Sequence, residues 1–327
     1  MKMTLLPLLL AFALAPMPAT AAFTSSDNGT VAAQFLQLGA DARSEGMGEA
    51  VHAECSNSNA VYWNPAGLAS LQYHEASFTH GAYYQGVFYE YASYAQPVPS
   101  LLGSSARERD LQTNQLGSFG VSMLYLNAGS ISMVDNTGAP TGQNFTPQDA
   151  AFIAGWGIPL TKHLDVGVSA KYITSKIVES AETGAFDFGA RLHFNLFTLP
   201  YTIAGGAQNV GGRLRFLSQQ EMLPTTFTLG NSIRPTKNSV LSLDMIAPRT
   251  GNPFLAMGGE YRIPFDPGMA AAVRVGYQNR SNSADLYGTT GLSVGAGLTF
   301  SKFSVDYAWM PYGLLGDTHR FSLSYRF

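Results

Sequence analysis

From about His74 to Phe327 the chain alternates between apolar and polar residues with a period of two. In Leu164-Asp165-Val166-Gly167-Val168-Ser169-Ala170-Lys171-Tyr172 every second residue from Leu164 is apolar, and the residues between are polar or glycine. Phe303-Ser304-Val305-Asp306-Tyr307-Ala308-Trp309 and Phe321-Ser322-Leu323-Ser324-Tyr325-Arg326-Phe327 repeat the pattern. Side chains on a strand point alternately to opposite faces, so each segment is a strand with one greasy face and one small or polar face.

Two architectures accept such strands. In a soluble sandwich the greasy face is the core; in a membrane barrel it meets lipid and the polar face lines the lumen. Charged residues make up 13% of the chain, about half the ~25% usual for soluble domains. The polar faces carry glycine, alanine and serine more than charge, which suits a crowded interior and makes a poor water-facing surface. Aromatic residues gather near segment ends (Trp156, Tyr172, Tyr201, Tyr261, Tyr277, Trp309, Tyr325), as in the girdles at two membrane interfaces. The reading is therefore all-β: a transmembrane antiparallel β-barrel over residues 73–327, set in the lipid of a bacterial outer membrane. Its strands are expected at 74–84, 87–97, 117–127, 150–160, 164–177, 185–195, 201–210, 225–234, 239–247, 254–264, 269–279, 291–300, 303–311 and 318–327. Tight connections (161–163, 234–238, 264–268, 301–302) alternate with longer ones (128–149, 178–184, 211–224, 280–290), the arrangement of turns on one side and surface loops on the other. One connection fits badly. Residues 98–116, with the charge cluster Arg107-Glu108-Arg109-Asp110, form a long link where a short turn is expected. Either the second strand is misplaced or this is an extended periplasmic segment.

Residues 1–22 read as a secretory signal: Lys2, an apolar stretch Leu5–Leu14, and small residues around Ala19–Ala22. After a polar lead-in comes a stretch, Phe35 to Leu71, with neither a strand's alternation nor a helix's stripe. Gly39, Gly46 and Gly48 break it early and Asn64-Pro65-Ala66-Gly67 late. It still carries Leu36, Leu38, Met47, Val51, Val61, Tyr62, Trp63 and Leu68, too much apolar surface for a free tail. Fourteen strands enclose more space than wall side chains fill, because about eight strands leave room for side chains alone. Residues 23–72 are accordingly expected to be a lead-in and a hatch, or plug, lodged in the lumen. Asn64 precedes proline, which biases it to extended backbone and suits its side chain to cap a short helical turn beginning at Pro65.

The segments LGADAR, GMG and NAVYWNPAGLA of this stretch resemble the amino-terminal signature of the PorV/PorQ family of outer-membrane proteins. That family is related to the FadL-type transporters of hydrophobic molecules, which share the Asn-Pro-Ala-Gly element. The resemblance implies a fourteen-stranded barrel with the hatch in its lumen. Its motif residues here are Gly46, Met47, Gly48, Asn64, Pro65, Ala66, Gly67 and Leu68, and Met47, Tyr62 and Trp63 are the expected contacts of a lumenal ligand. It implies two roles: binding or passage of a small hydrophobic molecule gated by the hatch, or, as in PorV, binding the carboxy-terminal signal of cargo in type IX secretion. The last strand, ending on Phe327, resembles the signal read by barrel-assembly machinery, an expected partner.

Other chemistry finds little footing. Net charge is −3 with no basic run, so nucleic acid is not an expected partner. The six histidines are scattered, and His52, Glu54 and Cys55 lack the second cluster that a metal site needs. No nucleophile motif or phosphate loop stands in the right setting. The chain reads as a non-enzyme without cofactor. Lone Cys55 is expected as a small buried residue. Lumenal Asp165, Lys171, Arg191, Arg274, Asp306, Arg320 and Arg326 are expected in solvated ion pairs that hold wall and plug together.

Overall fold

The computed structural model describes residues 31–83, 86–98, 116–216, 219–281 and 290–327. The expected export signal at 1–22, the first part of the lead-in, most of the 98–116 link and 282–289 lie outside them.

The strands are β1 (Glu75–Ala82), β2 (Phe88–Pro97), β3 (Ser118–Asn127), β4 (Ile131–Val134), β5 (Pro140–Phe145), β6 (Gln148–Pro159), β7 (Leu164–Lys176), β8 (Ser180–Leu196) and β9 (Leu199–Gly211). They continue as β10 (Arg213–Phe216), β11 (Gln219–Met222), β12 (Thr226–Thr236), β13 (Ser239–Pro248), β14 (Phe254–Asp266), β15 (Met269–Gln278), β16 (Leu292–Phe300), β17 (Phe303–Pro311) and β18 (Asp317–Arg326). Fourteen close into one antiparallel barrel in the order β1-β18-β17-β16-β15-β14-β13-β12-β9-β8-β7-β6-β3-β2. The seam closes by pairing Glu75 with Arg326 through Ala82 with His319. Closure leaves no edge strand in the wall, since each wall strand pairs with a neighbour on both sides.

All fourteen expected strands are present, with ends moved by a few residues. The two hairpins β4–β5 and β10–β11 fall within the expected long loops, because four to six residues are too few to show a period. β2 pairs with both β1 and β3 along its length, so the second strand is where it was expected. The strand ends joined by the 98–117 link, Pro97 and Ser118, therefore lie at the barrel end that otherwise carries the two- to four-residue turns.

Burial is inverted relative to a soluble protein. On β7 Tyr172 is 49% exposed and Lys171 is 3% exposed; on β18 Phe321 is 51% exposed and Arg320 is 3% exposed. The same holds on six more wall strands, where Phe78, Phe152, Phe188, Leu243, Val275 and Val305 stand outward, whereas β2 turns Tyr89 and Tyr91 inward. A sandwich would bury those side chains. The greasy faces of these strands look out, and the polar faces look in.

Arg326, paired with Glu75 at 2.9 Å, keeps a half-exposed side chain, but the other inward charges are not solvated as expected. Lys171 Nζ meets Asp187 Oδ2 at 2.9 Å with both side chains at 0% exposure, and Asp187 also accepts from Ser169 Oγ (2.9 Å) and Asn209 N (2.8 Å). Arg191 pairs with Asp165 at 3.0 Å, and Arg274 with Asp306 at 2.7 Å, all largely buried. The expectation of solvent in the lumen fails because the amino-terminal segment occupies the space. Removing one partner of such a pair leaves a buried charge that nothing compensates. Lys171→Met should therefore cost about 3–5 kcal/mol, read as a lower urea midpoint for loss of the heat-modifiable folded band, whereas Lys171→Met with Asp187→Asn should recover much of it.

Candidate functional site: the plugged lumen and its cavity

After a short helical turn at Gln34–Gln37, residues 38–71 cross the interior as three further short pieces. Asp41 opens the first, Ala42–Gly46, its carboxylate accepting from Ser44 N at 3.1 Å. Gly48 and Glu49 then both take left-handed backbone, φ 61 and 63, which reverses the chain sharply. For Glu49 that conformation costs about 1–2 kcal/mol. A second turn, Ala60–Trp63, runs into the third, Pro65–Ser70. Asn64 is extended between them (φ −157, ψ 105), and its Oδ1 accepts from Ala66 N at 3.1 Å while its Nδ2 donates to His52 O at 3.0 Å. Pro65 holds the first position, where a missing N–H is harmless.

These pieces rest on bare wall backbone. Gly157, Gly167, Gly189 and Gly206 lie in direct cross-strand register on β6, β7, β8 and β9. A Cβ on any of them would overlap, in turn, Pro65, Pro65 and Ala66, Asn64 Oδ1, and the His52 ring. Gly258 and Gly276, paired on β14 and β15, do the same for Met47 and Gly48. The two expected motifs, Gly46-Met47-Gly48 and Asn64-Pro65-Ala66-Gly67-Leu68, thus both rest on wall glycines, and His52 adds a further such contact at Gly206 and Gly230.

Polar contacts then fix its position. Ala42 N donates to Ser322 Oγ (2.8 Å), Gly48 N to Ser293 Oγ (3.0 Å) and His52 N to Asp244 Oδ2 (2.9 Å). Arg191 Nη1 donates to Cys55 O at 2.6 Å, and Gln208 Nε2 to Tyr62 O at 2.7 Å. Ion pairs link Arg320 to Glu45 and Arg43 to Glu260, each at 2.9 Å. Cys55 is buried and free. Gly67 packs on Cys55 O and on Ala60, and Leu68 lies against Gly120 of β3 and Gly157 of β6.

On the loop side the plug leaves a small space, a half-open cavity of ≈ 50 Å³ between it and the ends of β9, β12, β13 and β14. Tyr62 and Trp63 line it, with His52 and Glu49 of the plug and Ile246 and Phe254 of the wall. Of the three expected ligand contacts, Tyr62 and Trp63 reach the cavity; Met47 is fully buried beside Val51 and Val240 instead. Tyr62 is held by its hydroxyl, which donates to Leu36 O at 3.0 Å, and Trp63 by Nε1 donating to Asp41 Oδ1 at 3.1 Å. Lys171 Nζ sits 5.6 Å from the Tyr62 ring centre, a cation–π contact. Burial, then the charge of Arg191, holds His52 down at about 4, so its imidazole is neutral at pH 7. Burial, then the neighbouring Glu45 carboxylate, pushes Glu49 up to about 7. Wall contributors such as Ile246 and Phe254 carried no mark in the sequence beyond strand alternation.

No family model matches the sequence, and no curated protein does either. Solved structures do. The Ralstonia pickettii toluene transporter TbuX superposes with a TM-score of 0.57 at 11% identity, over 89% of this chain and 99% of that one. The Pseudomonas putida toluene transporter TodX gives 0.52 at 11% identity, over 88% and 98%. The monoaromatic hydrocarbon channel CymD gives 0.52 at 10% identity, over 88% and 98%. What is shared at that identity is the fold, a closed fourteen-stranded barrel.

Two outcomes are expected. Gly276→Val and Gly167→Val should push the plug off the wall and expose 31–71 to limited proteolysis, with an overpacking cost of about 1–3 kcal/mol or more. Gly205→Val, where a Cβ meets open space, should change neither. Because the folded state holds Glu49's proton longer than the unfolded state, stability should fall as pH rises from the usual carboxylate range to about 7. Glu49→Gln should flatten that stretch of a urea-midpoint pH profile.

Proposed function

We propose that this chain is a channel of the bacterial outer membrane that passes small hydrophobic molecules, with residues 31–71 as its gate. The observation that carries the reading is the inverted wall, greasy outside and polar inside, closed around a separate segment with an aromatic-lined cavity at its loop face. An outward belt of Phe, Leu, Val and Met matches a hydrocarbon surrounding. The solved barrels that resemble it are titled as toluene transporters and a monoaromatic hydrocarbon channel, and that ligand class suits a cavity walled by Tyr62, Trp63, Ile246 and Phe254.

The described state is closed. A cavity of ≈ 50 Å³ is well below the about 150 Å³ that an apolar cavity needs to hold benzene, so passage requires the plug to shift. The glycine contacts permit this, since they involve close packing and a few hydrogen bonds but no covalent tie.

A cross-link tests the gate. Ala42 N lies 2.8 Å from Ser322 Oγ, so Ala42→Cys with Ser322→Cys, made in a Cys55→Ser background, brings two thiols together between plug and wall. Oxidation should abolish toluene entry into reconstituted vesicles, and reductant should restore it. Equal rates before and after oxidation would mean the plug is not the gate. The competing role, cargo binding in type IX secretion, rests on the same motif residues; a genome lacking the other components of that system removes it.

A further inference from the structure

The wall carries a second cavity, on its outer side. β9 pairs with β12 from Tyr201↔Ile233 to Gln208↔Thr226 and no further, whereas it continues against β8 through Val210 and Gly211. The cause is a bulge at Asn209, whose backbone is left-handed (φ 57). Its side chain stays inside, accepting from Lys171 Nζ at 2.7 Å and donating to Pro224 O at 3.2 Å. The extra inward residue turns Val210 outward, opposite the exposed Phe186. Past the bulge the chain leading into β12 no longer follows β9, and a groove of ≈ 360 Å³ opens between them.

Its lining pairs two chemistries. Val210, Met222 and the outward-facing Phe227 are apolar, and the charged residues are Arg213 and Arg249. Both arginines are exposed, no carboxylate lies among the described residues of the lining, and Arg213 shares a face of the β10–β11 hairpin with its cross-strand neighbour Met222. On the flanking strands Phe188 and Met245 also stand exposed on the outer face. A free anion would use the guanidinium groups and leave Val210 and Phe227 idle. An amphiphile with a phosphate head and an acyl chain uses both.

We propose that this groove binds a phosphorylated lipid of the surrounding leaflet, its phosphate on Arg213 and Arg249 and an acyl chain along Val210 and Phe227. The proposal rests on the membrane reading above. Guanidinium presents paired donors that match phosphate oxygens, and basic residues at the level of the headgroups are the usual means of lipid recognition.

The test uses the full mature chain in a neutral detergent, with native mass spectrometry as the readout and diphosphorylated lipid A as the probe. Binding should weaken about fivefold for Arg213→Ala or Arg249→Ala and about thirtyfold for the double variant, with heat-modifiable mobility unchanged. Lipid A stripped of its phosphates should bind no better to the wild type than to the double variant. Equal affinity of the double variant and the wild type for the diphosphorylated lipid would overturn the proposal. So would equal binding of the phosphate-free lipid, or displacement of the lipid by inorganic phosphate at matching concentration, which would leave a simple anion site. If the chain instead stays monomeric and soluble without detergent, the membrane reading itself falls, an outcome distinct from arginine-independent binding in a barrel that needs detergent.

Discussion

Backbone meets backbone where the plug touches the wall, and this is possible only because the wall residues there are glycine. A fourteen-stranded barrel encloses a lumen too wide for its own side chains to fill. A segment placed inside must either stand off on a layer of wall side chains, with water between, or come close enough to exclude it. The in-register row Gly157, Gly167, Gly189, Gly206 removes that layer along one arc, and Gly258 with Gly276 removes it along another. The chain bends of the plug fit these arcs: the turn at Pro65 lies in the first, the left-handed reversal at Gly48 in the second. Packing at interior density follows from that match.

The close fit also explains the state of the lumenal charges. With water excluded, Lys171, Arg191, Arg274 and Arg320 lie in a dry interior, where an isolated charge would be prohibitively unfavourable. Each faces a carboxylate or a plug carbonyl. Such pairs add little net stability over apolar packing, but those that join plug to wall, Arg320 with Glu45 and Arg43 with Glu260, penalise any other placement of the plug strongly. Glycine arcs let the segment approach; the ion pairs and the capped turns at Asp41 and Asn64 determine which way round it sits.

The cavity lies where the arcs end. On β12 and β13 the inward positions near the loop side are Thr226, Thr228, Asp244 and Ile246 rather than glycine. Their side chains hold the plug off, and Tyr62 and Trp63 face the space that remains. The same strands form the seam at which the bulge of Asn209 ends the β9–β12 ladder. The inner cavity and the outer groove thus lie in one sector at the loop end.

The sequence by itself determined the wall. Period-two alternation in segments such as Leu164–Tyr172, combined with few charges, fixes both strand and facing, since a one-residue slip would turn every greasy side chain inward. The cap-and-turn at Asn64-Pro65 was equally legible, because it depends on neighbours two residues apart. Local pattern could not reveal that the lumenal charges are dry, that Met47 is buried away from the cavity that Tyr62 and Trp63 line, or that Gly206 lies beneath His52. Those facts depend on residues more than a hundred positions apart meeting across a closed barrel, and a glycine inside an alternating strand reads the same whether it faces open space, as Gly205 does, or carries the weight of a plug. Only the closing of the ring decides which.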